Sequence, residues 1–157
     1  MKIADAAEAF LANQRIAVTG VSRNPAGHGS NAVFDRLLDR GYQAFPVNPN
    51  TDSIGDHKAF PDLASIPGGV DAVVIGTSPR YALATMQQAA ELGITHVWLH
   101  RSLDAGSVDP AAVEYGREHG ITVIDGGCPL MFGKAADGGH KVMCAILKLT
   151  GTVPRVV

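Results

Sequence analysis

The chain has 157 residues, which at ~150 residues per domain predicts a single domain with one hydrophobic core. Thirteen Lys and Arg against fifteen Asp and Glu give a formal charge of −2, which argues against a nucleic-acid partner, since that needs a basic surface. Charged residues make up 18% and apolar residues 46%, which excludes wholesale disorder, and no apolar run approaches the ~20 residues that span a bilayer, so no membrane partner is expected. Asp5 and Glu8 stand where a signal peptide would be apolar, and two cysteines, Cys128 and Cys144, make no disulfide scaffold. These features predict a cytoplasmic protein.

In chain order the apolar pattern alternates between two periods. A first helix is predicted at about residues 3–11. Residues 15–20, Arg-Ile-Ala-Val-Thr-Gly, read as a buried strand followed by a glycine-rich turn. From about Ser30, the residues Val33, Phe34, Leu37 and Leu38 recur at helical spacing, and Gly41 stands at the C′ position. Residues 42–47 form a second strand stopped by Asn48-Pro49-Asn50, and residues 61–67 a short connection. A third strand over residues 70–76 leads into Ser78-Pro79, an N-cap and first-turn proline for a helix running through Leu83, Met86 and Ala90 to Gly93. A fourth strand spans 95–99, Asp109-Pro110 caps another helix ending at Gly120, and a fifth strand spans 121–124. A last helix runs from about Gly139 to Thr150, with Val142, Ile146 and Leu149 on one face. Five apolar strands separated by helices define an α/β protein, a doubly wound parallel sheet covered on both faces. Ligands of such sheets bind beyond the carboxyl ends of the strands, so the residues following each strand are the candidates.

The turn after the first strand reads Gly20-Val21-Ser22-Arg23-Asn24-Pro25-Ala26-Gly27-His28-Gly29-Ser30. Glycines before a helix N-terminus let backbone N–H groups approach a phosphate, and the helix dipole favours the anion. The dinucleotide fingerprint Gly-x-Gly-x-x-Gly is not met by glycines at 20, 27 and 29, and the turn after the second strand supplies no acid for ribose hydroxyls and no Arg for a 2′-phosphate. NAD(P) is therefore disfavoured. The Gly-x-x-x-x-Gly-Lys-Ser/Thr loop of NTPases is absent as well. His28 lies in the glycine-rich turn and His100 follows the fourth strand, which puts both at the predicted cleft.

Five segments together carry a family resemblance: Gly20-Val-Ser-Arg-Asn-Pro, Tyr42-Gln-Ala-Phe-Pro-Val-Asn-Pro-Asn, Ala59-Phe-Pro-Asp-Leu-Ala-Ser-Ile-Pro, Val97-Trp-Leu-His and Gly127-Cys-Pro-Leu-Met-Phe. From about Asn13 to Pro154 the chain resembles the small stand-alone CoA-binding proteins, whose Rossmann-like fold is similar to the N-terminal CoA-binding domain of the succinyl-CoA synthetase α subunit. The resemblance implies CoA or an acyl-CoA as ligand. It gives Gly20, Val21, Ser22, Arg23 and Gly29 the role of holding the phosphates and ADP part. Pro49 and Asn50, and then Thr77, Ser78 and Pro79, would close over the nucleotide. Where the family pattern often has Pro-Lys, this chain has Pro49-Asn50, leaving Arg23 and Arg80 as the cations available to the phosphates.

The resemblance also places Cys128 at the mouth of the fifth strand. There the thiol either meets the ligand, through a mixed disulfide or as a nucleophile, or is a small buried side chain in a tight turn. His140 and Cys144, four apart on the last helix, would share a face and with Cys128 would suggest a metal or thiol sensor. The plainer reading is that Asp137 caps the helix and Cys144 is core. The expectation is a CoA-binding protein without evident catalysis. The alternatives are a CoA-dependent acyl-transfer or ligase-related enzyme using Cys128 or His140, and the sensor. The synthetase's phosphorylated histidine belongs to a further domain. Association with a second copy or with a partner enzyme subunit is left open.

Overall fold

The computed structural model describes residues 1–26, 29–101 and 106–157. Its order is α1 (Ile3–Leu11), β1 (Arg15–Thr19), α2 (Gly29–Asp39), β2 (Gln43–Val47), β3 (Ser53–Ile54), β4 (His57–Lys58), β5 (Ala72–Ile75), α3 (Pro79–Glu91), β6 (His96–Leu99), α4 (Pro110–Glu118), β7 (Thr122–Asp125), two 3₁₀ turns (Pro129–Met131 and Gly133–Ala135) and α5 (Gly138–Thr150). Five strands form one parallel sheet in the order β2-β1-β5-β6-β7. This is the expected Rossmann-like α/β sheet. The chain runs from β1 out to β2 and then returns past β1 to β5, so the winding direction reverses between β1 and β5.

Alternation along the strands divides the core in two. Ile16, Val18, Ala72, Val74, Trp98 and Ile124 face α1, α2 and α5. Ala17, Val73, Ile75, Val97, Leu99 and Val123 face α3 and α4. Successive strand side chains point to opposite faces, so apolar runs such as Ala72-Val-Val-Ile are what a sheet buried on both sides requires.

Three details depart from the sequence-based expectation. The hairpin of β3 and β4 was not anticipated; its two-residue strands pair Ser53 with Lys58 and Ile54 with His57. Ser78 stands at the N-cap of α3, yet its side chain makes no capping hydrogen bond. The apolar face assigned to α5 is reversed: Val142, Ile146 and Leu149 are exposed, while Cys144 and Leu147 are buried. The helix packs chiefly on the Pro129–Met131 turn, and Cys144 and Leu147 are the side chains through which it joins the core on that side of the sheet. Asp137 does cap α5, accepting from the His140 N–H at 2.8 Å. Among the described residues, no helix is long and apolar enough to cross a membrane.

Candidate functional site

The turns after β1 and β5 meet backbone to backbone at the point where the winding reverses. Gly20 has φ +79°, and a Cβ there would lie 2.6 Å from Gly76 O and 3.0 Å from Thr77 N. The approach is reciprocal, since a Cβ on Gly76 would run into Ser30 Oγ and stand 2.7 Å from Thr19 O. Gly76 N–H donates to Thr19 Oγ1 at 3.1 Å and Ser30 Oγ donates to Gly76 O at 3.2 Å, joining β1, β5 and the start of α2. Glycine is needed at both positions because only a residue without Cβ admits this contact.

Two asparagines pin the β1 turn. Asn31 accepts from the Ser22 N–H at 2.9 Å and donates to Ser22 O at 2.8 Å, holding both backbone polar groups of one residue. Asn48 donates to Val21 O at 2.9 Å, and its Oδ1 accepts from Asn50 N–H at 2.8 Å. The loop after β2 is thereby fastened to the loop after β1. Sequence reading gave neither residue this role, because each pairs with a backbone group 9 or 27 positions away.

These turns open onto a cleft of about 590 Å³ between the β2 loop and α3. Of the residues singled out from sequence, Gly20, Ser22, Pro49, Asn50 and Thr77 line it. Val21 is fully buried beneath the turn. Arg23 is exposed beside Ser22, and Gly29 opens α2. Ser78 and Pro79 start α3, and Arg80 is exposed with its guanidinium 4.7 Å from the centre of the Tyr81 ring. His100 is buried at the end of β6 and its ring abuts Gly29, where a Cβ would lie 2.9 Å from Cε1. His28 lies outside the described residues.

The far wall was not read from sequence. Tyr81, Thr85 and Gln88 project from one face of α3, and Asp62 and Leu63 come from the connection before β5. Gln88 Oε1 accepts from Leu63 N–H at 2.7 Å and ties the two together. The 81, 85, 88 spacing is a helical face, but its polar members read as solvent-facing when no cleft is known. Among the described residues, none hydrogen-bonds the buried Thr77 Oγ1 at the cleft wall.

Cys128 is buried, 3% exposed, and is not among the cleft-lining residues. Burial pushes its thiol from an ordinary 9.0 up to about 12; a hydrogen bond from the Leu130 backbone opposes this and the charge of Asp137 reinforces it. The protonated form is the one the fold accommodates, so this contribution to stability is present below pH 9 and is lost as pH rises towards 12. Iodoacetamide at pH 7.5 is therefore expected to modify native Cys128 far more slowly than denatured Cys128, read by mass spectrometry. Equal rates would mean an accessible thiol. His140 Nδ1 lies 2.8 and 2.9 Å from the Asp137 carboxylate oxygens, and Arg36 Nη2 is 3.3 Å from Asp137 Oδ2. Hydrogen bonds from the His140 backbone N–H and ring hold the Asp137 carboxyl below its ordinary range, with the charges of His140 and Arg36 adding to the effect. Among the described residues, no three His, Cys, Asp or Glu side chains converge to hold a metal.

The cleft opens at the reversal point of the sheet, beyond the carboxyl ends of the strands, which is where doubly wound sheets hold their ligands. The chain belongs to the CoA binding domain family, whose match spans residues 14–134. It is 30% identical over 121 residues to the uncharacterized protein YneT of Bacillus subtilis, covering 77% of this chain and 86% of that one. It is 29% identical over 117 residues to the ADP-forming acetate–CoA ligase II of Archaeoglobus fulgidus, covering 69% of this chain but only 17% of the ligase. Among solved structures, a hypothetical protein from Pyrococcus horikoshii superposes with a TM-score of 0.68 at 26% identity, over 76% of this chain and 80% of the other.

Proposed function

We propose that the cleft binds CoA or an acyl-CoA and that the chain, as a single domain, serves as a binding protein rather than a catalyst. The observation that carries this reading is the backbone contact of Gly20 with Gly76 and Thr77, which brings the turns after β1 and β5 to the same cleft in a chain of the CoA binding domain family. Gly20, Val21, Ser22, Arg23 and Gly29 form the phosphate side. Pro49, Asn50, Thr77, Ser78 and Pro79 flank the nucleotide, with Arg80 and His100 at its margins. The acyl-transfer reading is less well supported, because neither Cys128 nor His140 lines the cleft and the Cys128 thiol is held protonated. A partner subunit belongs to the same proposal, since in the archaeal ligase the matched stretch is 17% of a longer chain.

Calorimetry is expected to give CoA a micromolar Kd, about −8 kcal/mol, with NADH markedly weaker. The glycine spacing at 20, 27 and 29 and the acid-free turn after β2 motivate the difference. NADH binding as tightly as CoA would overturn the reading.

A further inference from the structure

Of the seven large hydrophobic side chains exposed on the described surface, three lie on α5: Val142, Ile146 and Leu149. With the exposed Ala145 they occupy positions i, i+3, i+4 and i+7, one stripe along the outer side of the helix. Leu149 keeps 82% of its surface open to solvent. The opposite side of α5 carries Cys144 and Leu147, which join the core. A helix that is apolar on two sides is built to be covered on both, and the fold itself covers the inner one.

The charges beside the stripe determine what kind of surface fits it. Lys141 and Lys148, seven residues apart, follow one edge, the first exposed and the second half-buried beside the Phe132 ring. Residues 138–157 hold these two lysines and Arg155 and no Asp or Glu, whereas the rest of the chain holds ten basic residues against fifteen acidic ones. Asp137, the acid that caps α5, is taken up by Arg36 at 3.3 Å and by the His140 ring at 2.8 Å. The stripe is therefore an apolar patch with a cationic edge on a chain of net negative charge. A second copy fits it poorly, because antiparallel pairing of α5 about a two-fold axis sets the lysine edge of one copy against the same edge of the other.

This face is separate from the cleft. The described residues that line the cleft include none from α5. The helix joins the core on the α1 and α2 side of the sheet, while the far wall of the cleft comes from α3 on the other side. The family match ends at residue 134, before α5 begins.

We propose that the outer face of α5 docks an amphipathic helix of another protein, one whose apolar stripe is edged by Asp and Glu. Val142, Ala145, Ile146 and Leu149 supply the contact, and the small Ala145 lets the two helix axes approach closely. Lys141 and Lys148 pair with the acidic edge of the partner and set its orientation. This docking is independent of what the cleft binds.

Two labelled synthetic helical peptides, titrated into the full chain by fluorescence anisotropy at low salt, test this. Both carry the same leucine stripe, edged by glutamates in one and by lysines in the other. The glutamate peptide is expected to bind at least about fivefold tighter, with the difference shrinking as salt rises. Ile146→Asp should weaken the glutamate peptide by about tenfold or more with Tm unchanged, since the position is exposed. Val142→Ser, a milder change in the same stripe, should act in the same direction, so that a melting shift in one variant leaves the other to decide. Lys141→Glu combined with Lys148→Glu should reverse the order of the two peptides. Failure of the glutamate peptide to bind, equal binding of both peptides, or full-strength binding by the Ile146→Asp and Val142→Ser variants would overturn the proposal. So would either of two other occupants. A dimer in light scattering that Ile146→Asp dissolves assigns the face to a second copy. Binding to phosphatidylserine but not phosphatidylcholine vesicles, lost in Ile146→Asp, assigns it to a membrane.

Discussion

Gly20→Ala is expected to destabilise the fold by about 2–5 kcal/mol, to lower Tm by roughly 5–20 °C and to remove ligand binding. Two costs combine. The residue sits at φ +79°, where an L side chain is strained by ~1–2 kcal/mol. Its new Cβ would also lie 2.6 Å from Gly76 O and 2.7 Å from Gly76 C, which are backbone atoms that cannot rotate away. Relief would require separating the β1 and β5 turns, at an overpacking cost of ~1–3 kcal/mol. Gly41→Ala is the matched control: φ is +83° there, but nothing lies within 4 Å of the Cβ position, so it carries the strain without the collision. Thermal melts of both variants separate the two terms. Gly20→Ala melting level with Gly41→Ala would show that the two turns are not in contact.

Arg23→Ala should weaken CoA by roughly ten- to a hundredfold and leave Tm unchanged. The side chain is exposed, so its removal disturbs no packing. The Ser22 N–H, an amide that would otherwise face an anion, is already taken by Asn31 Oδ1 at 2.9 Å. That raises the share of phosphate attraction left to Arg23, for which a charge-assisted contact supplies ~1.5–3 kcal/mol. With a net charge of −2 the chain as a whole gives a polyanion no long-range steering. Affinity should therefore fall as salt rises. Asn50→Lys should act in the opposite sense: position 50 is exposed at the cleft, and the hydrogen bond it makes to Asn48 uses its backbone N–H, so the cation is added without loss of the loop. If Arg23→Ala binds CoA like the parent protein at low salt, backbone N–H groups alone hold the phosphates.

The strands of the parallel sheet were legible because each carries a run of apolar residues, such as Ile16–Val18, Ala72–Ile75 and Val97–Leu99, the pattern that burial on both faces imposes. The β3–β4 hairpin was not, since two-residue strands with Ile54 as the one buried side chain have no period to detect. On α5 the sequence offers two apolar strips, Val142-Ile146-Leu149 and Cys144-Leu147, and only the position of the Pro129–Met131 turn decides which is covered. The glycine turn of the candidate site could be read locally. Its clamp could not, because Asn31 and Asn48 are ordinary polar residues until their distant backbone partners are known. Asp62 and Tyr81 went unread for the same reason, as each becomes part of a wall only when the connection before β5 folds against α3.

Trp98, the single tryptophan, lies fully buried in β6, with its indole N–H bonded to Gly126 O at 2.9 Å and the rings of Phe10 and Phe132 at 5.4 and 5.5 Å. It sits on the sheet face covered by α1 and α5, whereas the far wall of the cleft is built from α3 on the opposite face. Its fluorescence is therefore a selective optical probe. Native emission should be blue-shifted and insensitive to iodide, and should respond to loss of the aromatic cluster rather than to occupation of the cleft. Denaturation followed at 295 nm excitation then measures the α1 and α5 half of the molecule. Tyr81 at the cleft, which absorbs little at that wavelength, leaves the signal undisturbed while ligand is added.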